Sequence, residues 1–139
     1  MRKIISILFI FSCLFSFQLK AQNIELKKTI DKNLVGVWKG EEKENQSEGL
    51  SKSWVMTRKN DGTFLLVFKV NDNGKINTIK EKGNWWVEDG KFYEFHNTSG
   101  LTDVYTYTIL SKDKVKFKAV NMAIEQNNEN YEFIDERVK

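Results

Sequence analysis

Apolar and polar residues alternate in short stretches along most of the chain after residue 33. Residues 63–70 show the pattern clearly, with Phe64, Leu66 and Phe68 on one side and Lys69 on the other. A period of two places one face of a β-strand in a core and the other in water, whereas helical spacing is nearly absent. The pattern predicts an all-β domain.

Eight strands are expected, separated by short sequences rich in Asn, Asp and Gly, which favour tight turns. The predicted strands are residues 34–40, 51–59, 63–70, 75–87, 91–96, 103–110, 114–120 and 130–138. The fourth contains Gly83, and a glycine inside a strand often marks a bend, so this segment forms one strand or two. Proline, which would interrupt the ladders, does not occur in the chain.

The order of these strands favours an antiparallel up-and-down barrel of eight, or at most nine, strands. Consecutive strands with one wet face close most simply in this way, and a two-sheet sandwich is the alternative. In such a barrel, the long connections 41–50, 97–102 and 121–129 all lie at the same end. We call this end the mouth, and the opposite end, with its tight turns, the floor.

The first 21 residues have the order of a secretory signal. Arg2 and Lys3 precede an apolar run over residues 4–17, and Leu19-Lys20-Ala21 offers a cleavage site. The run is shorter than the roughly 20 residues that span a bilayer, so no membrane segment is expected in the mature chain. We expect cleavage after Ala21 and export to the periplasm or the medium. The alternative is a lipoprotein anchored at Cys13.

The remaining chain is predicted to be a leader, residues 22–33, followed by one barrel domain, residues 34–139. The formal charge of +3 arises from 22 basic and 19 acidic residues, but Arg2, Lys3 and Lys20 lie in the signal, which has no acid. The mature chain is therefore neutral and lacks the overall basic charge that favours nucleic acid. Cys13 is the only cysteine, so the mature chain forms no disulfide.

Several motifs resemble those of lipocalins and related calycin barrels. Gly36 and Trp38 form the Gly-x-Trp signature of the first strand, Arg137 ends the last strand, and Thr102-Asp103-Val104-Tyr105 is similar to a Thr-Asp-Tyr element. The resemblance implies that Trp38 packs across the barrel floor beneath Arg137, with Gly36 beside them. An arginine over an indole makes a cation–π contact, and its guanidinium can also bind carbonyl groups.

The resemblance is strongest to compact bacterial lipocalin-like domains, in which Asp61-Gly62-Thr63-Phe64 and Gly83-Asn84-Trp85 also recur. The chain departs from the family at Lys39-Gly40-Glu41, where an aromatic residue is usual after the tryptophan. Such barrels include carriers, inhibitors and a few enzymes. The resemblance implies binding of a small hydrophobic or amphipathic molecule. A non-enzymatic barrel that contacts a protein, as an inhibitor, immunity factor or envelope component, is the alternative, with exposed Met122 and Ile124 as its marker.

Aromatic side chains near the mouth are the candidate ligand-binding residues, because tyrosine hydroxyls and flat rings suit an amphipathic guest. They are Trp54, Phe68, Phe95, Tyr105 and Tyr131. Those near the floor are expected to fill the core, and they are Phe64, Trp85, Ile109 and Val115.

Candidate catalytic chemistry is limited to His96, the only histidine, which could act as an acid or base with Asp103 or stand at the surface. We therefore expect no enzyme, metal or cofactor. The mouth loops carry an excess of glutamates over lysines, so a neutral or cationic ligand is expected and fatty acids are expected to bind poorly. These glutamates are Glu41, Glu42, Glu44, Glu48, Glu125 and Glu129.

Overall fold

The computed structural model describes residues 27–43, 48–123 and 130–139. Within them, eight strands form one closed antiparallel barrel in chain order. The strands are β1 (Gly36–Lys43), β2 (Leu50–Arg58), β3 (Thr63–Asp72), β4 (Lys75–Glu88), β5 (Lys91–His96), β6 (Leu101–Ser111), β7 (Lys114–Asn121) and β8 (Glu132–Arg137). The predicted all-β up-and-down barrel is confirmed, and the sandwich is not observed. The predicted signal segment lies outside the described residues.

The strand prediction left one point open at Gly83 and was wrong at Leu34. β4 runs unbroken through Gly83, so the described residues form eight strands and no ninth. Leu34 was placed in the first strand but belongs to a short 3-10 turn, Lys32–Leu34. The carboxylate of Asp31 caps this turn by accepting a hydrogen bond from the backbone N–H of Asn33 at 2.9 Å. The described part of the leader, residues 27–33, pairs with the barrel through Thr29 and Val87, and Leu34 directly after it is completely buried.

The lower half of the barrel is filled by its own side chains. Trp38, Phe64, Trp85, Val115 and Phe117 are all at most 1% exposed. Burying aromatic and branched side chains of this size removes a large apolar area from water and stabilises the barrel. The floor is therefore a packed core.

Ile109 does not belong to this core, contrary to the prediction. Its side chain is 40% exposed, although its partner on β7, Val115, is fully buried. Ile109 pairs in register with Val115 and keeps the alternation of Tyr105 and Tyr107, because the ladder between β6 and β7 shifts register only beyond it, between Ile109 and Ser111. Ile109 therefore lies on the same face as these residues, but at the floor end of the strand, beyond the packed core.

The seam between β1 and β8 is the shortest pairing in the barrel. Only Trp38 with Arg137 and Lys39 with Glu136 stand opposite each other. Nearer the mouth, the indole of Trp54 occupies the space over Gly40, where a Cβ atom would collide with it. The same indole meets Phe133 of β8 edge-on, with ring centroids 5.3 Å apart. Side chains therefore complete the wall where backbone pairing stops.

Among the described residues, no helix is long and apolar enough to cross a membrane.

Candidate functional site

A cavity of about 140 Å³ lies inside the barrel above the packed core. Aromatic and aliphatic side chains form part of its lining, and charged side chains form the rest. Four of the five predicted ligand-binding residues line it, namely Trp54, Phe68, Tyr105 and Tyr131. The other lining residues are Lys52, Met56, Arg58, Leu66, Glu94, His96, Asp103, Met122, Phe133 and Asp135.

The aromatic wall is a continuous set of ring contacts. Trp54 stacks near Phe68, with centroids 6.2 Å apart and planes inclined by 19°. Phe133 meets Tyr105 edge-on at 5.5 Å and lies 5.8 Å from Tyr131. Rings in mutual contact hold one another in place, so this wall presents a preformed apolar surface to a guest.

Phe95 lies outside this cavity, and its predicted position near the interior is wrong. On β5 the inward positions are Phe92, Glu94 and His96, which alternate with Phe95. Phe95 instead lines a shallow depression on the outer surface with Trp86. A hydropathy pattern places apolar Phe95 on the inner face of β5, whereas the titratable side chains of Glu94 and His96 occupy that face.

A buried ion pair forms the base of the cavity. Arg58 is 2% exposed, and its Nη2 atom donates to Oδ2 of Asp135 at 2.6 Å. The other oxygen of Asp135 accepts a hydrogen bond from Nε1 of Trp54 at 2.8 Å. The guanidinium carbon lies 5.0 Å from the ring centroid of Phe92 and 4.9 Å from that of Phe117, so cation–π contacts surround the charge.

Glu94, His96 and Asp103 form a second charged group at the side of the cavity. Nε2 of His96 lies 3.3 Å from Oδ2 of Asp103 and 3.8 Å from Oε2 of Glu94. Nδ1 of the same ring lies 2.7 Å from Oε2 of Glu81. The suggested pairing of His96 with Asp103 therefore occurs, and two further carboxylates surround the ring.

These contacts change the protonation of the group. Burial raises the pKa of Glu94 to about 7, against the opposing charges of Arg58 and His96. Burial disfavours the charged imidazole of His96, but Asp103, Glu94 and Glu81 outweigh it and raise its pKa to about 9. Burial also disfavours charged Asp103, yet the neighbouring His96 ring and the hydrogen bond from the backbone N–H of Ala123 keep its pKa below the usual value. The group therefore favours positive charge at its centre.

The predicted acidic mouth is only partly described. Glu44, Glu125 and Glu129 lie outside the described residues, and Glu41 is exposed on β1. Glu42 differs from the prediction of a solvated rim, because it is 7% exposed and accepts a hydrogen bond from the hydroxyl of Tyr131 at 2.9 Å. Its carboxylate is therefore part of the interior.

The floor brings Gly36, Trp38 and Arg137 together. The guanidinium carbon of Arg137 lies 4.1 Å from the Trp38 ring centroid. Its Nη1 donates to the carbonyl of Val35 at 2.8 Å and its Nη2 to that of Asn33 at 3.0 Å. A Cβ atom on Gly36 would lie 2.5 Å from Nη1, so this glycine makes room for the arginine. The contact joins the two ends of the barrel sheet.

The charged residues Arg58, Glu94 and Asp135 were missed by the sequence analysis. Alternation along the strands could have found two of them. Arg58 lies on the same face of β2 as Trp54, and Asp135 lies on the same face of β8 as Phe133. Charged residues at inward positions of a strand indicate either an ion pair or a polar site.

A larger depression of about 950 Å³ lies on the outer surface around the seam of β1 and β8. Four of its charged residues already pair with one another across the sheet. Lys114 contacts Glu136 and Lys116 contacts Glu132, each at 2.8 Å. The interior cavity, with its preformed aromatic wall, is therefore the stronger candidate for a binding site.

Comparison with protein families agrees with the architecture. The model of the lipocalin-like domain matches residues 34–117, which is more than half of the chain. No curated protein and no solved structure matches it. The matched segment begins in the turn before β1 and ends in β7, and it includes Gly36, Trp38 and most of the cavity wall. The chain belongs to the lipocalin-like domain family.

Proposed function

We propose that the barrel binds a small molecule of about one aromatic ring in its interior cavity. The observation that supports this function is the cavity of about 140 Å³ beneath the wall of Trp54, Phe68, Tyr105 and Tyr131. An engineered apolar cavity of about 150 Å³ accepts benzene, whereas pockets for drug-sized ligands measure roughly 300–1,000 Å³. The role is binding and not catalysis, in keeping with the family.

The charges around the cavity favour a neutral or cationic guest. The carboxylates that line or adjoin it outnumber the cationic side chains. They are Glu42, Glu81, Glu94, Asp103 and Asp135, against Lys52, Arg58 and His96. An anionic head group would be desolvated beside these carboxylates, which costs free energy, whereas an ammonium group gains a partner. A long-chain fatty acid is unsuitable in both size and charge.

Fluorescence titration of the protein with benzylamine, benzyl alcohol, benzoate and palmitate tests this function. We expect benzylamine to bind saturably, benzoate to bind at least about tenfold more weakly, and palmitate not to bind in the cavity, since a factor of ten needs only about 1.4 kcal/mol. Trp54 reports directly because its indole lines the cavity. The titration is done in a Trp86→Phe background, which removes an indole that stacks on Tyr93 at the outer surface.

The controls separate the ring from the hydroxyl of Tyr131. Tyr131→Phe retains the ring and loses the bond to Glu42, whereas Tyr131→Ala removes part of the wall. The alanine variant should lose benzylamine binding, and the phenylalanine variant should retain most of it. Absence of saturable binding by all four probes would contradict the proposed function. Tight binding of benzoate would contradict the charge preference alone.

Contact with another protein is less well supported. Met122 was expected to stand exposed on a long loop, but it is half-buried, packs against the core and lines the cavity. Ile124, the other expected marker, lies outside the described residues. Met122 therefore does not contribute to an exposed apolar surface for contact with another protein.

We further propose that the protein acts after export, in the periplasm or the medium. The support is the order of charged, apolar and cleavable segments in residues 1–21. Intact-mass measurement of the exported protein should give an unlipidated chain that begins at Gln22. A diacylated chain that begins at Cys13 would contradict this and favour a membrane-tethered protein.

A further inference from the structure

The side-chain group of Glu94, His96 and Asp103 has the geometry of a metal site. One donor atom from each residue lies within 4.8 Å of the other two. Zinc binds nitrogen and oxygen ligands at about 2.0–2.2 Å, so two ligands of a tetrahedral site stand about 3.3–3.5 Å apart. The distances of 3.3 Å and 3.8 Å from Nε2 of His96 to the two carboxylates are close to that spacing. Small side-chain rotations would complete the arrangement.

The structure also holds two of these three donors, His96 and Asp103, from behind. Glu81 lies 2.7 Å from Nδ1 of His96, which orients Nε2 towards Asp103 and Glu94. Oδ1 of Asp103 accepts a hydrogen bond from the backbone N–H of Ala123 at 2.8 Å, while Oδ2 faces the imidazole and also accepts a long hydrogen bond from the hydroxyl of Tyr105 at 3.5 Å. Carboxylates that hold a ligating histidine by its second nitrogen are typical of metal sites, where they fix the tautomer and the ring orientation.

Nε2 of His96 supplies an independent observation. The atom is buried and has no well-directed hydrogen bond, although Asp103 is close. A buried polar atom without such a bond is costly unless something else contacts it. Glu94, whose side chain is 8% exposed, lies on its other side. A cation between these three residues would satisfy all of them at once.

The surrounding charges do not oppose such a cation. Nη2 of Arg58 lies 4.0 Å from Oε1 of Glu94, but the same nitrogen is paired more closely with Asp135, at 2.6 Å. Three carboxylates, those of Glu81, Glu94 and Asp103, remain around a single imidazole. A divalent ion carries twice the charge of the proton that the same imidazole would otherwise hold.

We propose that Glu94, His96 and Asp103 bind one divalent transition-metal ion, with Zn²⁺ as the best match and a remaining coordination position directed into the cavity. A set of one imidazole and two carboxylates suits zinc and its neighbours, whereas Mg²⁺ and Ca²⁺ prefer oxygen ligands alone. The three ligands line the same cavity as the aromatic wall, so an ion there is accessible from the interior. Glu81 acts as a positioning residue and does not bind the ion.

The first test uses the protein purified without a histidine tag and treated with a chelator. His96 is the only histidine of the chain, so its ring nitrogens give a single pair of ¹⁵N resonances. Addition of ZnCl₂ should shift the Nε2 resonance strongly and saturate at one equivalent, whereas MgCl₂ should leave it unchanged. Unchanged His96 resonances with ZnCl₂ would overturn the proposal in the wild-type protein, whatever the variants do.

Calorimetric titration of variants with ZnCl₂ gives the second test. His96→Gln should weaken binding at least about 100-fold, and Glu81→Gln about 10–100-fold, the range found for partners behind a metal ligand. Glu132→Gln is the matched control, because this carboxylate is exposed and pairs with Lys116 on the outer surface. Equal affinities in wild type and a folded His96→Gln variant would show that zinc binds elsewhere and overturn the site. Benzylamine binding in chelator-treated protein is measured separately, so the two proposals fail independently.

Discussion

Replacing Asp135 by asparagine should lower the free energy of unfolding by about 3–5 kcal/mol, because it leaves a buried cation without its counter-ion. Arg58 carries a guanidinium group and is 2% exposed in the wild type. Its Nε and Nη1 atoms already lack hydrogen-bond partners, so the short contact to Asp135 is the main compensation for its burial. Urea denaturation monitored by fluorescence measures the loss.

The control for this experiment is Glu136→Gln. Glu136 follows Asp135 directly but is exposed and pairs with Lys114, so its replacement should leave the urea midpoint close to wild type. A double variant, Arg58→Met with Asp135→Leu, should recover much of the stability lost in Asp135→Asn, since an apolar pair can replace a buried ion pair. A double variant less stable than Asp135→Asn would show that the charges stabilise the barrel directly.

The second large effect is expected at the floor. Trp38→Ala should cost about 3–5 kcal/mol, because a fully buried indole is lost and a cavity remains. Arg137→Ala should cost about 1–3 kcal/mol, through the cation–π contact and the bonds to the carbonyls of Val35, Asn33 and Lys112. Since the two side chains touch, the effects should not add, and a double-mutant cycle measures the coupling.

A second cycle provides the comparison. Trp86 lies on the outer face of the barrel, stacked on Tyr93 with ring centroids 5.2 Å apart. Trp86→Ala combined with Arg137→Ala should give additive losses of unfolding free energy. Among the residues that the structure describes, no ring contact or ion pair joins these two side chains. Additivity in the cycle of Trp38 with Arg137 as well would mean that the floor contact does not contribute.

Alternation along the chain predicted most of the barrel and much of the cavity wall. It placed Trp54, Phe68, Tyr105 and Tyr131 towards the interior, where they line the cavity. It failed at Ile109, which keeps the alternation of β6 but lies at the end of the regular ladder with β7 and is exposed. How far the packed core extends along a strand depends on the neighbouring strands, which a pattern within one strand does not contain.

The charged part of the site was predicted least well. Arg58, Glu94 and Asp135 look like solvent-facing residues in a hydropathy pattern, yet all three are buried. Arg58 and Asp135 are separated by 77 positions and meet only when the barrel closes. Buried charges are tolerated because of such distant partners, so their role becomes visible only in three dimensions. His96 with Asp103 could be suggested from the sequence because adjacent strands bring them together.

The short seam between the first and last strands has a kinetic consequence. Arg137 binds the carbonyls of Val35 and Asn33 across 102 and 104 positions of sequence, so closing these contacts requires a large loss of chain entropy. Neighbouring strands pair through local turns and form earlier, whereas the seam has only two opposed pairs and depends on the finished cylinder. Weakening the seam should therefore accelerate unfolding and leave the folding rate nearly unchanged. The contact of Trp38 with Arg137 thus determines the unfolding rate, and with it the lifetime of the closed barrel.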